Sequence, residues 1–206
     1  MCRPFADLLL RASAIFFVTT AAAAPAGGEF VVITLDPQQT SIEWALAGFP
    51  DTVHGTFRLD RGRLGFDADS GAAAGCLRVE ASSGDSGNAS RDRKMHEQIL
   101  ETVRFPEVTL RPTRVDGRWP AEGRADLGLL GVLSLHGAEH PVTLPVRVAR
   151  SGSALTADAT LTIPYVAWGL TDPSVFVFRA RKTVDLVLHT VGVVTPSAPR
   201  PLLCEP

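Results

Sequence analysis

The chain has 206 residues, a net charge of −2 at neutral pH and 45% hydrophobic residues. That is ample length for one domain with a substantial core. Lys and Arg are scattered rather than clustered, so the electrostatic footprint of a nucleic-acid-binding protein is absent and nucleic acid is excluded as a partner.

At the N-terminus, Arg3 and Arg11 flank a short apolar segment that runs through Ile15, Phe16, Phe17 and Val18 into the small-residue stretch TTAAAAPA. This pattern predicts a secretory signal peptide over residues 1–25, cut between about Ala23 and Ala26. The apolar run is shorter than the roughly 20 residues of a membrane span, so no stable span is expected after cleavage. Cys2 lies at the wrong end of the segment for a lipoprotein cysteine. The predicted location is periplasmic or secreted. Cys76 and Cys204 then remain in an oxidising compartment. One disulfide between them is one reading; a buried Cys76 and a free thiol on the tail is the other.

Past Gly28 the chain reads as strand after strand. FVVITLD leads to SIEWALAG, in which Ile42, Trp44 and Leu46 share one face. TVHGTFRLD places Val53, Phe57 and Leu59 on one face, and a turn at Arg61-Gly62 leads into RLGFDAD. CLRVEASSG alternates again, with Leu77, Val79 and Ala81 against Arg78 and Glu80. The polar loop GDSGNAS precedes RKMHEQILETV, where the spacing of Met95, Ile99 and Val103 predicts a short helix near residues 91–103, with Ser90 as a candidate N-cap. RFPEVTLRP, ADLGLLGVLSLHG, PVTLPVRVARSG, ALTADATLTIPYVAWG and SVFVFRARKTVDLVLHTV continue the alternation. Val142, Leu144, Val146 and Val148 are in step. Turn signals at this spacing predict an all-β antiparallel sandwich or barrel, and no βαβ alternation supports a parallel sheet. From Val193 the Pro-rich tail VTPSAPRPLLCEP lacks alternation and is expected to be an extended appendage over residues 193–206.

These segments in this order resemble the YceI family: SIEWALAGFPDTVHGTF, GRLGFD, SSGDSGNASRDRKMHEQILETVRFPEVTL, LHGAEHPVTLPV, AWGLTD and VDLVLHTVG. The most specific part is Gly87-Asn88, Arg91-Asp92, a short helix and Phe105-Pro106-Glu107-Val108-Thr109. The resemblance covers residues 30–192. It implies an extended, lipocalin-like antiparallel β-barrel of about eight strands, with an apolar tunnel for a polyisoprenoid or other long-chain amphiphile and a polar head near the mouth. A quinone or a fatty amide fits the same description. The chain departs from the family pattern at His54, where many relatives carry Lys or Arg, and in its helix, which reads Met95-His96-Glu97-Gln98.

Trp44, Phe57 and Phe66 fall on inward-reading positions. With Met95, Ile99 and Phe105 they are the candidate apolar tunnel, since such walls bury apolar area at about 25 cal/mol per Å². Plain core filling, or plugging of the barrel end by the helix, is the structural alternative for each. Arg91, Asp92, His54 and His96 are the candidates for the ligand head. Arg91 with the exposed amides of the helix start is suited to a phosphate or carboxylate, whereas Asp92 also suits the helix dipole.

His136-Gly137-Ala138-Glu139-His140 matches the HxxEH pattern of inverted zinc proteases, which demands a helix. Here Gly137 and Pro141 bracket it between alternating strands, and a hairpin turn is expected instead. A looser metal site built from His54, His96 and one of the turn histidines, His136 or His140, is the other metal alternative. No GxSxG, GxGxxG, P-loop or CxxC is present, so no catalytic residue, metal or cofactor is assigned. The expected function is an exported carrier of an isoprenoid or acyl lipid. A barrel with a filled core and an interaction role is the alternative, followed by a metal-dependent hydrolase. Monomer and homodimer both remain open.

Overall fold

The computed structural model describes residues 29–177 and 179–197. Its strands are β1 (Phe30–Leu35), β2 (Ser41–Leu46), β3 (Gly48–Phe49), β4 (Val53–Asp67), β5 (Ala73–Asp85), β6 (Glu107–Asp116), β7 (Gly123–Leu135), β8 (Ala138–Ser151), β9 (Ala154–Ile163), β10 (Arg179–Ala180) and β11 (Val184–Ser197). Helix α1 (Ala89–Lys94) continues into a π turn over Met95–Ile99. All pairings are antiparallel between neighbours in the order β2, β4, β5, β6, β7, β8, β9, β11, and β11 pairs back with β2 to close the ring. The expected eight-strand barrel is therefore what forms, and closure removes the free edges that an open sheet would expose.

β1 and β2 together occupy a single position in this ring. β1 lies between the C-terminal part of β11 and the end of β4, pairing Leu35 with Gly192 and Gly62. β2 continues along the same two neighbours, with Ser41 opposite His189 and Ile42 opposite Phe57. The turn between them is tied by Asp36, whose carboxylate accepts from the Gln38 amide at 2.9 Å and whose carbonyl accepts from Thr40 Oγ1 at 2.8 Å.

Inward residues at alternate positions divide into two clusters. Val31, Ile33, Phe66, Val115, Leu127, Val148 and their neighbours seal one end, where Trp119 meets Phe66 edge-on at 5.0 Å between ring centroids. Leu133, Leu135, Val142, Ile163, Tyr165 and Leu170 belong to the other. Packed against one cluster or the other, Phe57, Leu77, Val79, Leu161 and Leu186 point inward yet keep part of their surface accessible. Their accessible surface faces a hollow.

The structure corrects several local expectations. β4 runs unbroken through Arg61-Gly62, with register shifts instead of a turn. Gly62 serves close packing there: a Cβ at that position would fall 2.7 Å from Leu35 Cδ1. The helical segment ends at Ile99, not near 103, because Glu101 has φ +46° and leaves Val103 fully exposed. Its N-cap is Asn88, not Ser90; Asn88 Oδ1 accepts from the Ser90 and Arg91 amides. Residues 174–177 read as strand in the sequence but form a loop, exposed from Val175 to Val177, and only the two-residue β10 is extended between it and β11. β11 continues to Ser197, pairing with Phe30, so the start of the expected tail belongs to the barrel. The segment His136-Gly137 is the expected hairpin: both residues have positive φ, 52° and 77°, as a two-residue type I′ connection requires.

Candidate ligand cavity

The hollow half of the barrel encloses a cavity of about 540 Å³. That lies within the roughly 300–1,000 Å³ typical of small-molecule sites. Its wall is overwhelmingly aliphatic and aromatic, with side chains from β2, β4, β5, β6, β7, β8, β9 and β11. Leu35, Leu77, Leu110, Leu144, Leu188 and Thr190 form its floor: they also line a separate void of about 90 Å³ on the sealed side. The one hydroxyl in this floor is satisfied, since Thr190 Oγ1 donates to the Ala157 carbonyl at 3.1 Å.

Pro50, Asp51, Arg91 and Val175 line the cavity and are also exposed at the surface, which marks them as its mouth. Two segments shape this opening. One is α1 with its π turn, seated on the barrel because β5 carries Gly84. A Cβ there would come within 2.6 Å of Phe57 Cε1 and 2.7 Å of Met95 Cε. The other is the stretch from Pro164 to Val177. It is fixed by Tyr165, whose hydroxyl donates to the Arg181 carbonyl at 2.8 Å, and by Asp172, which pairs with Lys182 and accepts from the Ser174 amide. Burial, reinforced by the Asp172 charge, pushes the Tyr165 phenol up to about 12. The Lys182 and Ser174 hydrogen bonds hold the Asp172 carboxyl down at about 2. The two segments meet where Lys94 Nζ donates to the Pro173 carbonyl at 3.4 Å.

Of the residues singled out in the sequence, the structure brings Trp44, Phe57, Met95, Ile99 and Arg91 together on this cavity. Trp44 and Phe57 are neighbours, 6.4 Å between centroids. The others lie elsewhere. Phe66 is on the sealed side of the floor. Phe105 stacks on the β7–β8 hairpin, 4.5 Å from the His136 ring. Asp92 accepts from both the amide and the hydroxyl of Ser86. Although burial works against it, these bonds and the nearby His96 and Arg91 hold its carboxyl below the usual range. His96 Nε2 contacts the Gly84 carbonyl at 2.9 Å, and His54 is exposed on the outward-facing side of β4. The helix-start amides of Ser90 and Arg91 are already taken by Asn88, which leaves the Arg91 side chain as the cationic group there. Lys94, also on the cavity, was missed, although its position three residues after Arg91 puts it on the same helix face. Asp51 and Tyr165 carried no signal in the sequence that distinguished them from loop and core residues.

Among the described residues, no group of three His, Cys, Asp or Glu side chains is close enough to hold a metal ion. His140 instead stacks on Trp168, 3.9 Å between ring centroids with planes 3° apart. No helix among them is long and apolar enough to cross a membrane. Cys76 is disulfide-bonded. Cys204, the partner in one of the two readings, and the expected signal peptide lie outside the described residues.

A family model described as the YceI-like domain matches residues 33–191. A UPF0312 protein of Vibrio campbellii (strain ATCC BAA-1116) is 26% identical over 144 residues, covering 68% of this chain and 74% of that protein. A UPF0312 protein of Enterobacter sp. (strain 638) is 31% identical over 104 residues, which span 48% of this chain and 50% of the relative. Among solved structures, BcnA of Burkholderia cenocepacia matches with a TM-score of 0.63 at 19% identity, over 76% of this chain and 98% of BcnA. A polyisoprenoid binding domain from Saccharophagus degradans, implicated in plant cell wall breakdown, matches with a TM-score of 0.62 at 19% identity, over 79% and 98% of the two chains. At these identities the two structures share the fold.

Proposed function

Because this chain belongs to the YceI-like domain family, we propose that it is an exported carrier that holds the apolar chain of a polyisoprenoid or similar long-chain amphiphile inside the barrel, with an acidic or polar head at Arg91 and Lys94. The observation that carries this reading is the apolar cavity of about 540 Å³ with its charged groups, Asp51, Arg91 and Lys94, gathered at one opening. A barrel filled throughout would have no such hollow. The likeness to a polyisoprenoid binding domain supports an isoprenoid among the candidate chains.

Burying a chain in this cavity contributes about 0.8 kcal/mol per methylene. Affinity therefore rises with chain length until the floor at Leu144 and Leu188 is reached. A phosphate or carboxylate head would accept charge-assisted hydrogen bonds from Arg91 and Lys94, and these orient the ligand rather than supply most of its affinity. Export is supported by the disulfide at Cys76, since disulfides persist in oxidising compartments. The binding reading needs no catalytic group and no cofactor.

The test is native mass spectrometry of the mature protein purified without detergent, followed by extraction and identification of whatever is released. A stoichiometric adduct that partitions into organic solvent is the expected result. Binding titrations of prenyl and acyl lipids, read by tryptophan fluorescence in a variant that keeps only Trp44, should then tighten with length and plateau. An empty barrel that also ignores every added lipid, or a series with no length dependence, would falsify the carrier reading.

A further inference from the structure

The loop beside the cavity mouth exposes large apolar side chains where a soluble surface would carry polar ones. Phe176 is 96% exposed, Val177 71% and Val175 53%, and Phe49 on β3 is 71% exposed. Val175, Phe176 and Val177 are consecutive, and they and Phe49 flank the same mouth. Phe49 pairs with Arg179 in the short β3–β10 ladder, and Pro50, next to Phe49, lines the cavity mouth together with Val175. Isolated exposed apolar residues need no explanation, but a contiguous group at the rim of a binding site does.

Charge adds a second, independent feature. Arg91 and Lys94 line the opening, Arg179 stands opposite Phe49 in the β3–β10 ladder, and among the described residues none of the three forms an ion pair. The acidic groups nearby are Asp51, which is exposed at the mouth, Asp92, which accepts from Ser86 beside Arg91, and Asp172, which is paired with Lys182. A chain of net charge −2 thus presents a basic rim around its apolar tip.

We propose that this face docks the barrel, mouth first, on an anionic lipid leaflet: Phe49, Val175, Phe176 and Val177 enter the headgroup–acyl boundary while Arg91, Lys94 and Arg179 meet acidic headgroups. Apolar side chains flanked by cations are the composition that binds anionic membrane interfaces. The proposal rests on the carrier reading and supplies its loading step. A chain passing through water between bilayer and cavity exposes every methylene at about 0.8 kcal/mol each, whereas a mouth seated in the leaflet gives it a continuous apolar path. Val175, which belongs both to the cavity wall and to the exposed tip, lies on that path.

The experiment is flotation of the full-length mature protein with phosphatidylcholine vesicles, with and without phosphatidylglycerol, for the wild type and for Phe176→Ser/Val177→Ser and Arg91→Gln/Arg179→Gln. Filling of the cavity by a short-chain amphiphile is measured separately by the stoichiometric adduct in native mass spectrometry. The wild type should float with the anionic vesicles and release at high salt. The apolar double variant should lose about tenfold or more in vesicle affinity while still filling its cavity. The basic variant should lose the preference for phosphatidylglycerol. A wild type that fills its cavity but ignores vesicles overturns the docking face and leaves the carrier reading intact. Vesicle binding unaffected by the Phe176 and Val177 changes also overturns it, as does a patch whose loss abolishes only self-association. A cavity that takes no amphiphile marks failure of the carrier reading instead.

Discussion

The indole of Trp44 lies directly over the Cα of Gly55: a Cβ on Gly55 would come within 2.4 Å of the ring's Cζ2 and of the Asp85 carbonyl oxygen. The glycine holds the ring flat against the wall and keeps the bore open. Gly55→Ala should push the indole toward Phe57 and into the cavity. The overpacking costs about 1–3 kcal/mol, read as a lowered melting temperature, and the longest lipid accepted becomes shorter. An unchanged melting curve and unchanged chain-length profile would show that the ring is free to move aside.

Leu144 is a buried floor residue, shared by the large cavity and the small void beyond it. Leu144→Ala removes part of the partition and joins the two spaces. Stability should fall by about 2–5 kcal/mol, while the plateau of the binding series moves to longer chains. The paired outcome is the test: destabilisation without a shift in plateau would mean that ligands stop short of the floor.

Tyr165 is the sole tyrosine of the chain, so its ionisation is visible without interference. The folded phenol, pushed up to about 12 mainly by burial, should stay protonated well past the ordinary 10. The folded state is therefore favoured by this group below pH 10, and the advantage disappears as pH rises through about 12. Ultraviolet difference absorbance of tyrosinate reads the midpoint directly. A native midpoint near 10 would mean that the mouth segment does not bury the ring.

Asp172 works in the opposite direction. Its folded carboxyl is held at about 2, below the ordinary 3.8, by Lys182 and Ser174. Its contribution is fully present above the ordinary value and is lost as pH falls toward 2. Hydrogen-exchange protection in the mouth segment, taken relative to the intrinsic rate at each pH, should fall across that acid window in the wild type and should already be low and unchanging there in Asp172→Asn. Equal protection in both proteins would dissociate this ion pair from the order of the mouth.

Much of the barrel was legible in the sequence because period-two alternation is a direct record of which residues face inward. Ile42, Trp44, Phe57 and Leu59 read as inward and are inward. Alternation does not say how far along the axis an inward residue sits. Phe66 shares the face of Phe57 on β4 but lies beyond the floor, and Phe105 obeys a contact with His136 and Gly137 that is remote in sequence. The exposed run Val175-Phe176-Val177 read as a strand because its composition is that of a strand. Only its exposure in the folded chain distinguishes a rim from a wall. The N-cap was displaced from Ser90 to Asn88 for a local reason, since two amides converge on one Asn88 oxygen.

The joint between β1 and β2 has a consequence beyond ring closure. Leu35, the last residue of β1, belongs to the floor, so the break in the wall falls at the level of the partition inside. Below it, β1 is gripped on both sides and encloses a sealed hydrophobic block; above it, β2 helps wall a hollow that contributes far less packing. The fold separates the labour of staying folded from the labour of holding cargo. Substitutions above the joint can reshape the bore for a different molecule while the foundation beneath keeps the chain folded.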